Sequence, residues 1–70
     1  MSGKKRSYLL KSEIGVISSM AAGLSNKEIA DALCMSIAAL ETCRYRLYKR
    51  LGVKNAPECV AFAIRKGIIQ

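Results

Sequence analysis

Histidine and tryptophan are absent from this sequence, and proline occurs once. Without histidine, the chain lacks the side chain that most often moves a proton near neutral pH or holds a transition metal. Cysteine is scarce: Cys34, Cys43 and Cys59 are an odd set at wide spacing, with no Cys-x-x-Cys pair. A zinc site is therefore not indicated. The thiols read as reduced groups in or near the core, where free cysteine behaves as a small hydrophobe. Neither a phosphate-cradling loop nor paired carboxylates on one face can be found. No catalytic residue, metal or cofactor is expected, and the chain does not read as an enzyme. No apolar run approaches the roughly 20 residues of a membrane span, and the basic start lacks the apolar stretch of a signal peptide. A cytoplasmic chain with no membrane partner is expected.

Acidic side chains are also few, with 5 Asp+Glu against 12 Lys+Arg, a net charge of +7 and a pI near 9.7. Such a balance favours nucleic acid or an anionic membrane surface as partner, and charge alone leaves both open. At 70 residues and 51% hydrophobic, the chain supports one domain with one small core, near the lower size limit for folding without staples.

The stretch from Leu24 to Val53 organises the rest. Ser25 and Glu28 have the spacing of a capping box, in which each side chain accepts from the other's backbone amide. Leu24 and Ile29 stand at the positions of a hydrophobic staple. Ser36 is a second N-cap, with Met35 and Leu40 in the staple positions. These caps predict a short helix over residues 26–33 and a longer one over 37–51, with Cys34 and Met35 left to turn the chain. Gly52 ends the longer helix, because glycine takes the left-handed conformation there without strain. Two helices joined so tightly cross steeply, as in a helix-turn-helix.

Ahead of this unit, residues 1–7 (MSGKKRS) read as a flexible basic arm, either passive or adding phosphate contacts, with the domain proper over 8–70. A first helix is predicted near 11–22, ended by Gly23, with Ile14, Ile17 and Met20 or Ala21 on one face. Gly15 within it costs about 1 kcal/mol relative to alanine. A fourth helix is predicted near 56–66, where Asn55 and Glu58 make a weaker capping box and Gly67 ends it. The Ile68-Ile69 tail is expected to fold back on the core. The expected fold is all-α, four helices packed around Ile17, Ile29, Leu33, Leu40, Leu47 and Val60. The fourth helix is apolar on nearly every side, more than a surface helix needs. The surplus points to a dimer face through Val60, Ala61 and Ile64.

At 100° per residue, Leu40, Cys43, Leu47 and Leu51 share the inward side of the third helix. Ala38, Glu41, Thr42, Tyr45 and Lys49 share the outward side, flanked by Tyr48 and Arg46. Arg44 and Arg50 lie nearer the core edge, from which long side chains can run along the surface to phosphates. Arg44, Arg46, Lys49, Arg50 and Lys54 form the densest charge on the chain.

These residues resemble the LuxR/GerE-type helix-turn-helix domain of bacterial transcription regulators. The match is carried by Leu9 with Glu13, by AAGLSNKEIA at 21–30, and by Leu33, Met35-Ser36 and Leu51-Gly52-Val53. Ala63 and Gly67-Ile68-Ile69 match the closing segment. The resemblance implies a four-helix domain whose third helix enters the major groove and whose fourth often makes the dimer contact. It implies base contacts from Glu41, Thr42 and Tyr45. Phosphate contacts are implied from Ser25, Asn26 and Lys27, and from the basic residues Arg44, Arg46, Lys49 and Arg50. The implied partners are double-stranded DNA, a second copy of the chain (in solution or only on DNA), and RNA polymerase. The implied place is the bacterial nucleoid. The chain departs from the family's usual Thr-Val-Lys at Ala39-Leu40-Glu41, from a common histidine at Cys43, and from a frequent arginine at Ala56. Glu41 reverses the charge at a family DNA-contact site, so the usual target preference does not transfer.

The leading expectation is a sequence-specific DNA-binding transcription regulator. The alternative is a helix-turn-helix-derived protein-interaction module that has lost DNA binding, because Glu41 is acidic where a cation is usual. RNA is disfavoured, since no stacking platform of aromatic residues is present.

Overall fold

The computed structural model describes residues 9–70, so the expected basic arm at 1–7 lies outside the described residues. Among the described residues there are four helices and no strand: α1 (Lys11–Ala21), α2 (Asn26–Ala32), α3 (Ile37–Leu51) and α4 (Ala56–Arg65). Each helix begins where a side chain can satisfy its orphan amides. For α2, Ser25 Oγ accepts from the Glu28 amide at 3.2 Å and Glu28 Oε1 accepts from the Ser25 amide at 2.8 Å, which closes the expected box. For α3, Ser36 Oγ accepts from the Ala39 amide at 3.0 Å. At α4, Asn55 Oδ1 accepts from the Glu58 amide, but Glu58 Oε1 takes the Lys54 amide, so the reciprocal box is not formed. At α1, Leu10 occupies the N-cap with no side-chain acceptor, and Glu13 Oε1 instead accepts from its amide at 2.9 Å.

Residues 22, 33 and 66, expected inside helices, are the C-caps of α1, α2 and α4. The chain then turns through a left-handed residue after each helix. Gly23, Gly52 and Gly67 fill three of these positions, and Cys34 fills the fourth at φ 58°. Met35 N donates to Ala30 O at 2.8 Å and Cys34 N to Asp31 O at 3.3 Å, the two bonds that close such a helix end. A non-glycine residue there costs about 1–2 kcal/mol. It buys the two-residue turn between α2 and α3.

Two apolar clusters hold the helices, and α1 serves both. Ile17 packs with Leu9, Leu47, Cys59 and Ala63, joining α1, α3 and α4. Val16 packs with Ile29, Ala30 and Leu40, joining α1, α2 and α3. Met20 lies against both clusters, and Ile68 and Ile69 close the first as expected. Ile17, Ile29, Leu40 and Leu47 are fully buried. Leu33 and Val60, expected in the core, are only half-buried, and Ala21 is exposed. The buried face of α4 is Cys59 and Ala63, one turn apart and small enough to let that helix lie close to α1. Val16 is buried because α1 is covered from two directions, which widens its apolar stripe beyond the single row of Ile14, Ile17 and Met20.

Candidate nucleic-acid interface

The outward side of α3 is not used by the core. Ala38, Glu41, Thr42, Tyr45, Arg46 and Lys49 are all exposed, and Tyr45 is 63% exposed, a large ring in solvent. Lys49 Nζ stands 5.3 Å from the centroid of the Tyr45 ring and 3.5 Å from its hydroxyl. Tyr45 and Lys49 are therefore placed side by side, one turn apart on one face. Glu41 and Thr42 lie one turn nearer the start of α3. Ser36 caps that end, and the two-residue turn sets it beside α2. Three residues with the potential to touch base edges and two cations thus share a single convex surface.

The four cations of α3 divide into two kinds. Arg46 and Lys49 are exposed on or beside the outward face, and neither pairs with a carboxylate among the described residues. Arg44 and Arg50 are held within the domain. Arg44 donates through Nε and Nη2 to the Tyr48 hydroxyl at 3.1 and 2.8 Å, and through Nη1 to Asn26 Oδ1. Arg50 Nη2 meets Glu13 Oε1 at 2.5 Å. Glu13 is buried, its side chain 8% exposed, whereas that of Arg50 is 46% exposed. Burial pushes the Glu13 carboxyl up, but hydrogen bonds from Arg50 and the Leu10 amide, with the charge of Arg50, outweigh it and hold the group below its ordinary 4.5. It stays ionised at neutral pH and neutralises part of the charge that Arg50 offers outside.

Near the start of α2, Ser25 and Lys27 are exposed, while Asn26 is half-buried and accepts from Arg44. Val60 is half-buried on α4, with Ala61 and Ile64 exposed beside it, Ile64 to 50%. Two functional features were missed from sequence. In the sequence Glu13 stands out only through the resemblance, because its role as a buried carboxylate joining α1 to α3 depends on tertiary approach. The bond from Arg44 to Tyr48 had a signal, the four-residue spacing that places two side chains together on a helix.

Among the described residues no group of three or more His, Cys, Asp or Glu side chains is placed to hold a metal ion. Burial pushes the thiols of Cys43 and Cys59 up, away from the reactive thiolate. No helix of the described residues is long and apolar enough to cross a membrane.

Comparison with known proteins agrees with this geometry. The profile of the bacterial regulatory proteins, luxR family (GerE), matches residues 7–63. The oxygen regulatory protein NreC of Staphylococcus aureus strains JH9 and JH1 is 34% identical over 62 residues, covering 89% of this chain and 29% of that protein. A crystal structure of the response regulator ChrA of a heme-sensing two-component system superposes with a TM-score of 0.83 at 31% identity, covering 87% of this chain and 30% of that one. The chain thus spans under a third of the length of these relatives.

Proposed function

The chain belongs to the luxR family of bacterial regulatory proteins, a family of DNA-binding transcription regulators, and on that premise we propose that it binds double-stranded DNA sequence-specifically through α3. The observation that carries this reading is the outward face of α3: Glu41, Thr42, Tyr45 and Lys49 are exposed together on the second helix of a tight helix-turn-helix, with no structural duty in the core. An α-helix fits the major groove, where each base pair shows a distinct donor and acceptor pattern. Glu41 is suited to accept from a cytosine amino group, Thr42 to bond either partner, and the Tyr45 ring to lie on a thymine methyl. Phosphate contacts fall to Ser25, Lys27, Arg46 and Lys49, whose polar groups face solvent. Asn26, Arg44 and Arg50, for which the resemblance implies phosphate contacts, already have partners inside the domain. The site of action is the nucleoid in the cytoplasm, and RNA polymerase is the machinery such a regulator acts on.

Dimerisation through α4 completes the reading. Ala61 and Ile64 are exposed beside Val60, and a two-fold pair would set two α3 helices in major grooves about one helical turn apart, on an inverted repeat. Ile64→Glu is expected to abolish cooperative binding to a two-site duplex while the monomer stays folded. Sedimentation of the chain alone and with that duplex checks it, and a monomer in both samples contradicts the dimer.

Selection of bound sequences from random duplexes, followed by anisotropy titrations over a range of salt, tests the main reading. A recovered motif with affinity falling steeply as salt rises is expected. No enrichment and no duplex binding would instead favour a protein-interaction module built on the same fold.

A further inference from the structure

We infer that Arg44 is a positioning residue for DNA reading: its guanidinium locks the first turn of α2 to α3 and so fixes Ser25 and Lys27 in register with Glu41 and Tyr45. The inference rests on the DNA-binding reading above and assigns Arg44 a role other than a phosphate contact.

Three helices meet at this group. Arg44 is half-buried on α3, and both Nε and Nη2 donate to the hydroxyl of Tyr48 one turn further along. Its remaining arm, Nη1, donates to Asn26 Oδ1 at the start of α2. The guanidinium carbon stands 5.7 Å from the Tyr48 ring centroid, and the Tyr48 hydroxyl lies 3.5 Å from Met20 Sδ on α1. Tyr48 therefore aims the fork, and the fork reaches across to α2.

The need for such a lock follows from the size of α2. At seven residues, it is far shorter than the 12–15 or so that an isolated helix needs to persist in water. Its buried residues are Ile29 and Ala30, both past its first turn. The end that carries Ser25 and Lys27 has exposed side chains on either side of Asn26. The bond from Arg44 is a polar tie between that end and α3. A phosphate binding Arg44 would have to compete with Tyr48 and Asn26 together. Arginine suits the lock because its planar fork holds several donors at fixed angles, whereas lysine offers a point charge on a flexible stem. That difference separates the two roles, because lysine is a good phosphate ligand.

The test compares the wild-type chain with Arg44→Ala, Arg44→Lys and Tyr48→Phe. Anisotropy titrations at several salt concentrations use the selected duplex and a scrambled one, and circular dichroism verifies that each variant is folded. Positioning predicts that Arg44→Ala and Arg44→Lys both lower the ratio of selected to scrambled affinity about fivefold or more, the loss of at least one base contact, with the salt slope unchanged. Tyr48→Phe, which keeps every charge, lowers the ratio in the same direction. A slope flattened by about 0.9 in Arg44→Ala and restored in Arg44→Lys would show a phosphate contact and overturn the inference. An unchanged ratio in folded variants would reduce Arg44 to a merely structural role and overturn it too. Exchange of the Arg44 Nε–H, read by NMR on the free protein, tests the lock without DNA: slow in the wild type and fast in Tyr48→Phe is expected, and fast exchange in the wild type refutes it. A chain that shows slow exchange but binds no duplex would refute the DNA reading and leave the lock intact.

Discussion

Arg44 and Arg50 differ from Arg46 and Lys49 in a way that charge counting hides. All four lie within seven residues of one helix, and by sequence they form one basic cluster. In the folded chain the first two are bonded to Asn26, Tyr48 and Glu13, while the other two extend on or beside the outward face. Helical phase makes the division. Arg44 and Arg50 stand close enough to the core edge to reach side chains of α2 and α1, and Arg46 and Lys49 do not. How far a cation is available to a partner therefore depends on what else it can reach. The same helix thus holds the domain together on one side and offers an uncommitted surface on the other.

The sharpest way to break this division is at its inward extreme. Leu47 is fully buried between α1 and α4, and Leu47→Ala is expected to destabilise by about 2–5 kcal/mol through the cavity it leaves. Urea unfolding checks it, and a loss under half a unit would mean that α3 is turned differently. Where still folded, this variant should keep the base preference of the wild type.

The Glu13–Arg50 pair comes next. Glu13→Ala removes the acceptor of both the Leu10 amide and the Arg50 guanidinium and is expected to destabilise by about 1.5–3 kcal/mol. Because Glu13 is held below its ordinary 4.5 when folded, its contribution is fully present above that value. It is lost as pH falls through the lower folded value. Stability of the wild type should therefore drop more steeply below pH 4.5 than that of Glu13→Ala. Parallel pH profiles would mean that the pair adds nothing.

On the outward side the order of effects reverses. Arg46→Ala and Lys49→Ala are expected to change stability by no more than about 0.5 kcal/mol. Each should flatten the salt dependence of DNA binding by about 0.9. Unfolding curves paired with salt titrations check both halves, and a large stability loss at either position would erase the contrast with Arg50.

Much of the fold was legible because its signals are local. The Ser25–Glu28 box, the Ser36 and Asn55 caps and the glycines at 23, 52 and 67 are short-range chemistry, and they mark the starts of α2, α3 and α4 and the ends of α1, α3 and α4 to within a residue. The phase of α4 was less legible. Its residues are apolar all round, so periodicity could not choose between Val60 and the Cys59–Ala63 row, and only the approach of α1 decides. Cys34 in the left-handed region has no signal of its own type, since glycine is the residue that marks such turns. In the candidate interface, exposure of Glu41, Thr42 and Tyr45 followed from the same 100° spacing that buries Leu40 and Leu47. The commitment of Arg44 and Arg50 did not, because it rests on partners 18 and 37 residues away.

Glu41 is where the account of the outward face is most exposed to contradiction, since on the proposed reading it would carry a negative charge toward a field of phosphates. Equilibrium binding of the wild type and Glu41→Ala to the selected duplex and its single-base variants, at two salt concentrations, measures what that charge does. If the face reads sequence, the variant loses about 1–3 kcal/mol of preference at one base pair while its affinity for unrelated DNA stays equal or rises. If Glu41→Ala binds every duplex more tightly with its base preference unchanged, Glu41 reads nothing and the account of this face is wrong.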